Sequence, residues 1–247
     1  MIIHSMARKK KEKPKEKDSL EPESQHEELF VPFRRLQAEL FLRLAQRDSK
    51  KEIRVLDIGA GEGRLAELIL ENYPKSQVVC IDRNEETVRR GARRLRSYGG
   101  RVQYILADIA QPEWTSELHK TFHLTVSAYT MHHIEDDRKK RVYRRIYEVL
   151  EPEGAFFLMD RVAVPSQQAR ARYEAIREEH VRQQLETRLT RKLPSEAFHE
   201  LFSALPCSEK HRPAPLDLQL QWLDQIGFRD VDCYWKFLDF ALFGGLK

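Results

Sequence analysis

Val55-Leu56-Asp57-Ile58-Gly59-Ala60-Gly61-Glu62-Gly63 carries an apolar run straight into three alternating glycines, the pattern of a buried strand that turns abruptly into a helix. Glycine has no Cβ, so such a turn can take left-handed dihedrals and let a ligand lie against the backbone beside the amides that open the next helix. A dinucleotide fingerprint G-x-G-x-x-G wants a third glycine where Arg64 stands. Here the glycines fall at 59, 61 and 63, and Asp57 precedes them. A carboxylate at that place repels a pyrophosphate and suits a ligand that carries an amine or another cation.

Two further acids extend the pattern. Gln77-Val78-Val79-Cys80-Ile81-Asp82 is a second apolar strand ending in a carboxylate, at the offset where doubly wound sheets grip ribose hydroxyls. Arg101 to Leu106 is a third strand leading into Ala107-Asp108-Ile109, which puts an acceptor where the exocyclic amine of an adenine can be read. All three acids fall at carboxyl ends of strands, the edge at which open parallel sheets bind ligands.

In VLDIGAGEG and the two following acid-terminated strands, the chain resembles the class I S-adenosylmethionine-dependent methyltransferases over roughly residues 30 to 247. The resemblance implies a Rossmann-like α/β sheet, mostly parallel with one antiparallel strand, and S-adenosyl-L-methionine as cofactor with S-adenosyl-L-homocysteine as product. It implies that Gly59 and Gly61, with Ala60 and Gly63 in the same turn, cradle the methionyl part and that Asp57 lies near its amine. Asp82 would hold the ribose and Asp108 the adenine, with Arg83 and Ile109 flanking the base and Ser127 at the end of the fourth strand beside the cofactor. The closing stretch Gly227 to Trp235 is similar to bacterial members of the superfamily and, more distantly, to the enzyme that makes carboxy-S-adenosylmethionine. That second likeness requires an arginine for the extra carboxylate, and the sequence does not place one.

The rest of the chain alternates strand and helix, which implies a parallel sheet. Strands are expected at 53–58, 77–82, 101–106, 122–127 and 155–160. Helices are expected at 63–73, at 85–97 capped by Asn84, and at a segment whose Val142, Ile146, Val149 and Leu150 share a face, with Asp136 or Asp137 as cap. Leu29, Phe33, Leu36, Leu40 and Leu44 mark an earlier amphipathic helix expected to cover the cofactor edge. The cofactor-binding core spans 26–164. Residues 165–212 break the pattern into a long charged helix, with Ala169, Tyr173, Ile176, Val181 and Leu185 inward, and Pro-punctuated segments. This is longer than a simple crossover, so it is expected to be a helical insertion capping the substrate site, a dimerisation arm being the alternative. Residues 213–247 complete the core with a helix and an antiparallel hairpin. Its aromatic residues Tyr234, Trp235, Phe237, Phe240 and Phe243 are expected to pack the hairpin rather than to stack on bases.

Charge and cysteines narrow the setting. The net charge of +4 is a property of the first residues, where Arg8 and six lysines face only Glu12 and Glu16, leaving the remainder at −1. Residues 1–25 are expected to be a disordered, solubilising tail, with charge attraction to nucleic acid or an anionic surface as the alternative. No apolar run approaches the length of a membrane span, and no secretory signal opens the chain, so a cytoplasmic monomer or homodimer is expected. Cys80, Cys207 and Cys233 are odd in number and lack C-x-x-C spacing, so neither a disulfide framework nor a zinc site is suggested.

Methyl transfer asks chiefly that the acceptor be positioned. Ser127-Ala128-Tyr129-Thr130-Met131-His132-His133 follows the fourth strand, so His132 and His133 are the candidate bases and Tyr129 is expected to line the acceptor pocket. No metal is expected at the histidine pair, because chain neighbours face apart. His211 and Arg212, and less so His199, are candidates to face an anionic acceptor. The expected reaction is methylation of an O, N or C atom of a small molecule. Modification of RNA, carboxy-S-adenosylmethionine synthesis and a non-catalytic cofactor-binding scaffold are the alternatives.

Overall fold

The computed structural model of the protein describes residues 33–45, 51–203 and 211–247; the basic tail, Leu29 and Cys207 lie outside them. Seven strands form one sheet: β1 (Ile53–Ile58), β2 (Ser76–Asp82), β3 (Val102–Leu106), β4 (Phe122–Ala128), β5 (Leu150–Arg161), β6 (Arg229–Phe237) and β7 (Phe240–Leu246), in the order β3-β2-β1-β4-β5-β7-β6. The first five run parallel, with Asp57 opposite Cys80 and Ile58 opposite both Ile81 and Ser127. β7 is antiparallel to β5 and to β6, so it is the one reversed strand.

Among the described residues the α-helices are α1 (Arg34–Leu44), α2 (Arg64–Asn72), α3 (Glu85–Arg94), α4 (Asp136–Val149), α5 (Gln167–Leu189), α6 (Ser195–Ser203) and α7 (Leu216–Ile226). Successive residues of a strand point to opposite faces, and the two cores follow that alternation. Leu56, Ile58, Ile81, Phe156 and Leu158 pack with α4 and α7 on one face. Val55, Val78, Leu124, Val126 and Phe157 pack with α1 and α2 on the other. Asn84 caps α3 by accepting a hydrogen bond from the Thr87 amide. Strand order reverses between β1 and β4, so the ligand-binding crevice of this architecture opens beside the glycine turn.

Several boundaries differ from expectation. Leu150 does not extend the face of α4; it opens β5, because the Glu151 to Gly154 stretch continues the strand, tied to the chain end by Glu153 N to Lys247 O and Lys247 N to Gly154 O bonds. The cap of α4 is Glu135 and makes no side-chain bond, while Asp136 and Asp137 occupy the first turn. On α1 the buried stripe is Gln37, Phe41 and Ala45, whereas Phe33 and Leu36 are exposed. On α5, Ile176 points outward at 48% exposure. A small cluster of Val181, Leu193 and Phe198, with Leu185 beside it, holds α5 to α6. The middle of α5 meets the hairpin, Arg177 lying 3.6 Å from Asp239 and His180 packing against Phe33 and Phe237.

Candidate active site

A cavity of about 620 Å³ opens at the carboxyl ends of β1, β2 and β4, within the range of small-molecule and cofactor sites. Asp57, Gly59, Ala60, Gly61, Asp82, Arg83, Asp108 and Ile109 line it, so eight of the ten residues expected at the cofactor come together. Gly59 has φ +68°, and a Cβ there would meet the Thr130 hydroxyl at 2.0 Å. Gly61 has φ +56°, yet a Cβ there would meet nothing nearer than Thr87 Cγ2 at 4.0 Å, because the cavity lies in front of it. The turn is held from behind by Tyr104, whose hydroxyl donates to the Gly61 carbonyl at 3.3 Å and fills the space that a side chain at Gly63 or Gly91 would need. Gly63 therefore makes room for Tyr104 instead of lining the cavity.

The carboxylates differ in environment. Asp82 accepts from the Gly61 amide through Oδ2 and from the Asn84 amide through Oδ1, each at 2.9 Å, so it fixes the turn and keeps further lone pairs for a ligand. Asp108 accepts from the Ala110 amide at 2.9 Å. Asp57 is 1% exposed, and its Oδ2 has no hydrogen-bond partner among the described residues. Burial, then the charge of Asp82, raises its carboxyl to about 7. A buried acceptor without a donor is costly, and a cationic amine at this point relieves both the missing bond and the raised pKa. The donor-poor acceptor of Asp57 and the remaining acceptors of Asp82 and Asp108 are compatible with the S-adenosylmethionine that the resemblance implies.

Ser127 departs from expectation. It is fully buried and its hydroxyl donates to the Ile58 carbonyl at 2.7 Å, so it joins β4 to β1 and does not reach the cavity. After β4, Tyr129 takes the left-handed region at φ 54°, a strain that non-glycine residues carry where the surroundings impose it. Its amide is held by the Met159 carbonyl at 2.8 Å, its hydroxyl donates to Gln37 of α1, and Phe240 lies edge-on at 6.3 Å. Tyr129, Thr130 and His133 line the cavity at this end, and α1 reaches the edge through Gln37.

His132 lies beneath them, buried and tied to Asp160 at the end of β5. Its amide donates to Asp160 Oδ2 at 3.0 Å and its Nδ1 pairs with Asp160 Oδ1. The expectation that the adjacent histidines face apart does not hold. Both sit in the short 3-10 turn Met131–His133, with ring centroids 4.0 Å apart and the His211 ring 4.7 and 5.1 Å away. Burial and then the neighbouring imidazoles lower His133 to about 4; the same causes, with Arg161, lower His211. His133 is therefore neutral at pH 7, and the shift at His211 favours its neutral form too. Arg161 Nη1 lies 3.2 Å from His211 Nδ1 while the same guanidinium binds Asp239.

His211 and Arg212 do not reach the cavity. The Arg212 amide donates to the His132 carbonyl, its carbonyl accepts from the buried Lys139 amine, and its guanidinium meets Glu135 at 3.2 Å. His199 is exposed beside Glu178. Asp160, Tyr104 and Arg138, which also lines the cavity, carried no expected role. An acid closing the fifth strand was the available signal for Asp160.

Residues 55–154 match the family described as "Methyltransferase domain". Among curated proteins the chain is similar to the carboxy-S-adenosyl-L-methionine synthase of Nautilia profundicola, 17% identical over 88% of this chain and 87% of that protein. The synthase of the same name from Campylobacter concisus is 24% identical over 53% of this chain and 54% of that protein. Among solved structures, the apo S-adenosylmethionine-dependent methyltransferase SibL superposes with a TM-score of 0.56 at 19% identity, covering 86% of this chain and 55% of that one. An O-methyltransferase family protein from Burkholderia thailandensis gives 0.59 at 13% identity over 86% and 56%. Phosphoethanolamine N-methyltransferase 2 of Haemonchus contortus, in complex with S-adenosyl-L-methionine, gives 0.53 at 19% over 80% and 37%. The chain thus spans about half the length of the first two structures, and what it shares with all three is the fold.

Proposed function

From a chain that carries a methyltransferase domain match over residues 55–154 on the Rossmann-like sheet of the class I S-adenosylmethionine-dependent methyltransferases, we propose that the protein methylates an oxygen or nitrogen atom of a small molecule. The observation that carries the reading is the unpartnered, buried oxygen of Asp57 beside a glycine turn, in a cavity shared with Asp82 and Asp108. When bound, the cofactor supplies a methyl group already activated by its sulfonium.

The chain's own residues then have three tasks. Gly59 and Gly61 let the backbone approach the ligand while Asp57, Asp82 and Asp108 offer acceptors along its length. Tyr129 and Thr130, fixed by Gln37, the Met159 carbonyl and the Gly59 carbonyl, shape the acceptor end, where alignment supplies much of the acceleration. The neutral imidazoles at that end, His133 foremost because it lines the cavity, are placed to help a hydroxyl or amine lose its proton, a step that a carbon acceptor without an acidic proton would not use.

The curated relatives' name favours a second reading, formation of a carboxylated cofactor. Incubating the full chain with methyl-labelled S-adenosylmethionine and a cell extract fractionated into metabolites and RNA decides between them, with the cofactor itself followed by mass spectrometry. Label in the metabolite fraction is the expected result. Label in RNA, or a carboxylated cofactor without label transfer, overturns the small-molecule assignment. Label in neither pool, with the cofactor bound and unchanged, leaves a binding scaffold.

A further inference from the structure

We infer that His132, His133 and His211 form a site for one divalent transition-metal ion of the zinc class, its open coordination position facing the cofactor cavity. One nitrogen from each ring can be chosen such that all three lie within 4.8 Å of one another. Around a tetrahedral ion with ordinary zinc–imidazole bonds the nitrogens stand roughly 3.4 Å apart. The difference is smaller than a rotamer change, and His133 is exposed while His211 is partly so.

The donor set selects the ion. Three imidazoles with no oxygen ligand suit zinc, cobalt, nickel or copper, and are poor partners for magnesium or calcium. His132 has the support such a ligand needs. Its Nδ1 pairs with Asp160, which directs the remaining lone pair to Nε2 and makes it more basic, and a carboxylate behind a ligating histidine is a recurrent feature of metal sites. Asp160 is itself fixed by the amides of His132 at 3.0 Å and Arg161 at 2.7 Å.

Arg161 opposes the ion, since a guanidinium only donates and it already engages Nδ1 of His211. Ligation through either nitrogen of His211 removes the lone pair that Arg161 meets, by using Nδ1 or by placing the proton there, and Arg161 stays bound to Asp239 through two nitrogens. With three protein ligands the fourth position is free, as in catalytic zinc sites. His133 borders the cavity, so an acceptor oxygen bound there would be made more acidic. That use rests on the methyl-transfer reading; the ligand set does not.

Cobalt(II) is the probe, titrated into metal-stripped full-length protein. The site predicts visible absorption of four-coordinate cobalt that saturates at one equivalent and is displaced by zinc. It also predicts affinity at least about tenfold weaker in H133N and in H211N, and about 10- to 100-fold weaker in D160N. Absorption no stronger than that of hydrated cobalt, or bands that persist in the H133N/H211N double variant, overturn the site. Calorimetry with S-adenosylhomocysteine on the same samples reports folding and separates the two readings. Ligand heat without cobalt bands removes the metal site alone, whereas cobalt bands without ligand heat leave the site and remove the methyl-transfer reading.

Discussion

If Asp57 holds the cofactor's amine as proposed, cofactor binding should depend on pH. Its carboxyl is raised from an ordinary 3.8 to about 7 in the fold, first by burial and then by Asp82, so between about pH 4 and 7 the folded protein holds a proton that the unfolded chain has lost. Stability of the cofactor-free protein therefore falls as pH rises through that window and levels off above it. A cationic amine favours the ionised carboxylate, so affinity for S-adenosylhomocysteine is expected to increase from pH 6 to 8 with release of a proton, and D57N should abolish both effects. Calorimetry in buffers of different ionisation enthalpy measures that proton; an affinity constant across this range would contradict the assignment. The two glycines of the turn separate structure from binding. G59A drives a methyl into Thr130 at 2.0 Å and should lower the melting temperature as well as binding. G61A meets open space, so beyond roughly 1–2 kcal/mol of left-handed strain its loss should fall on cofactor affinity, read by thermal unfolding beside calorimetry.

At the scale of elements, α1 shows why a periodic pattern does not by itself fix an orientation. Phe33, Leu36, Leu40 and Leu44 recur at helical spacing, but so do Gln37, Phe41 and Ala45; the second stripe is the fully buried one, while Leu40 and Leu44 pack against the same core in part and Phe33 and Leu36 are exposed. The sequence hides the more deeply buried stripe because Gln37 is polar. It is buried because its partner, the Tyr129 hydroxyl, arrives from a loop 92 residues away. F41A removes a fully buried ring that packs edge-on against Phe157 at 6.1 Å and should cost about 3–5 kcal/mol. L36A, at 42% exposure, should change stability by no more than about 0.5 kcal/mol. Equal effects in chemical denaturation would restore the first stripe. Ser127 poses the same question between strands. S127A leaves the Ile58 carbonyl without its side-chain donor, so about 1 kcal/mol of stability should be lost while affinity for S-adenosylhomocysteine stays unchanged.

Across the whole molecule, what could be read from the chain is what local sequence encodes. Strand–helix alternation dictates the parallel sheet, and the acids at three strand ends mark the cavity. The acceptor edge was legible only in part: Tyr129 and His133 could be read from the stretch after β4, but the pairing of His132 with Asp160 and the approach of His211, at the end of the 165–212 insertion, could not. That insertion also differs energetically from the body it covers. The sheet is packed on both faces by extensive clusters, whereas among the described side chains α5 and α6 share a core of Val181, Leu193 and Phe198 with Leu185 beside it, and Ile176 faces water. Few buried apolar contacts mean a low free energy of local opening. Amide hydrogen exchange should therefore run faster by orders of magnitude across α5 and α6 than across β1, β4 and β5. The segment from His211 to Ala214 should exchange with the sheet, because the Arg212 amide is held by His132 and the Ala214 carbonyl by Ala163. Uniform protection across insertion and sheet would mean that the two open as one unit, and the insertion could not then move independently to admit an acceptor.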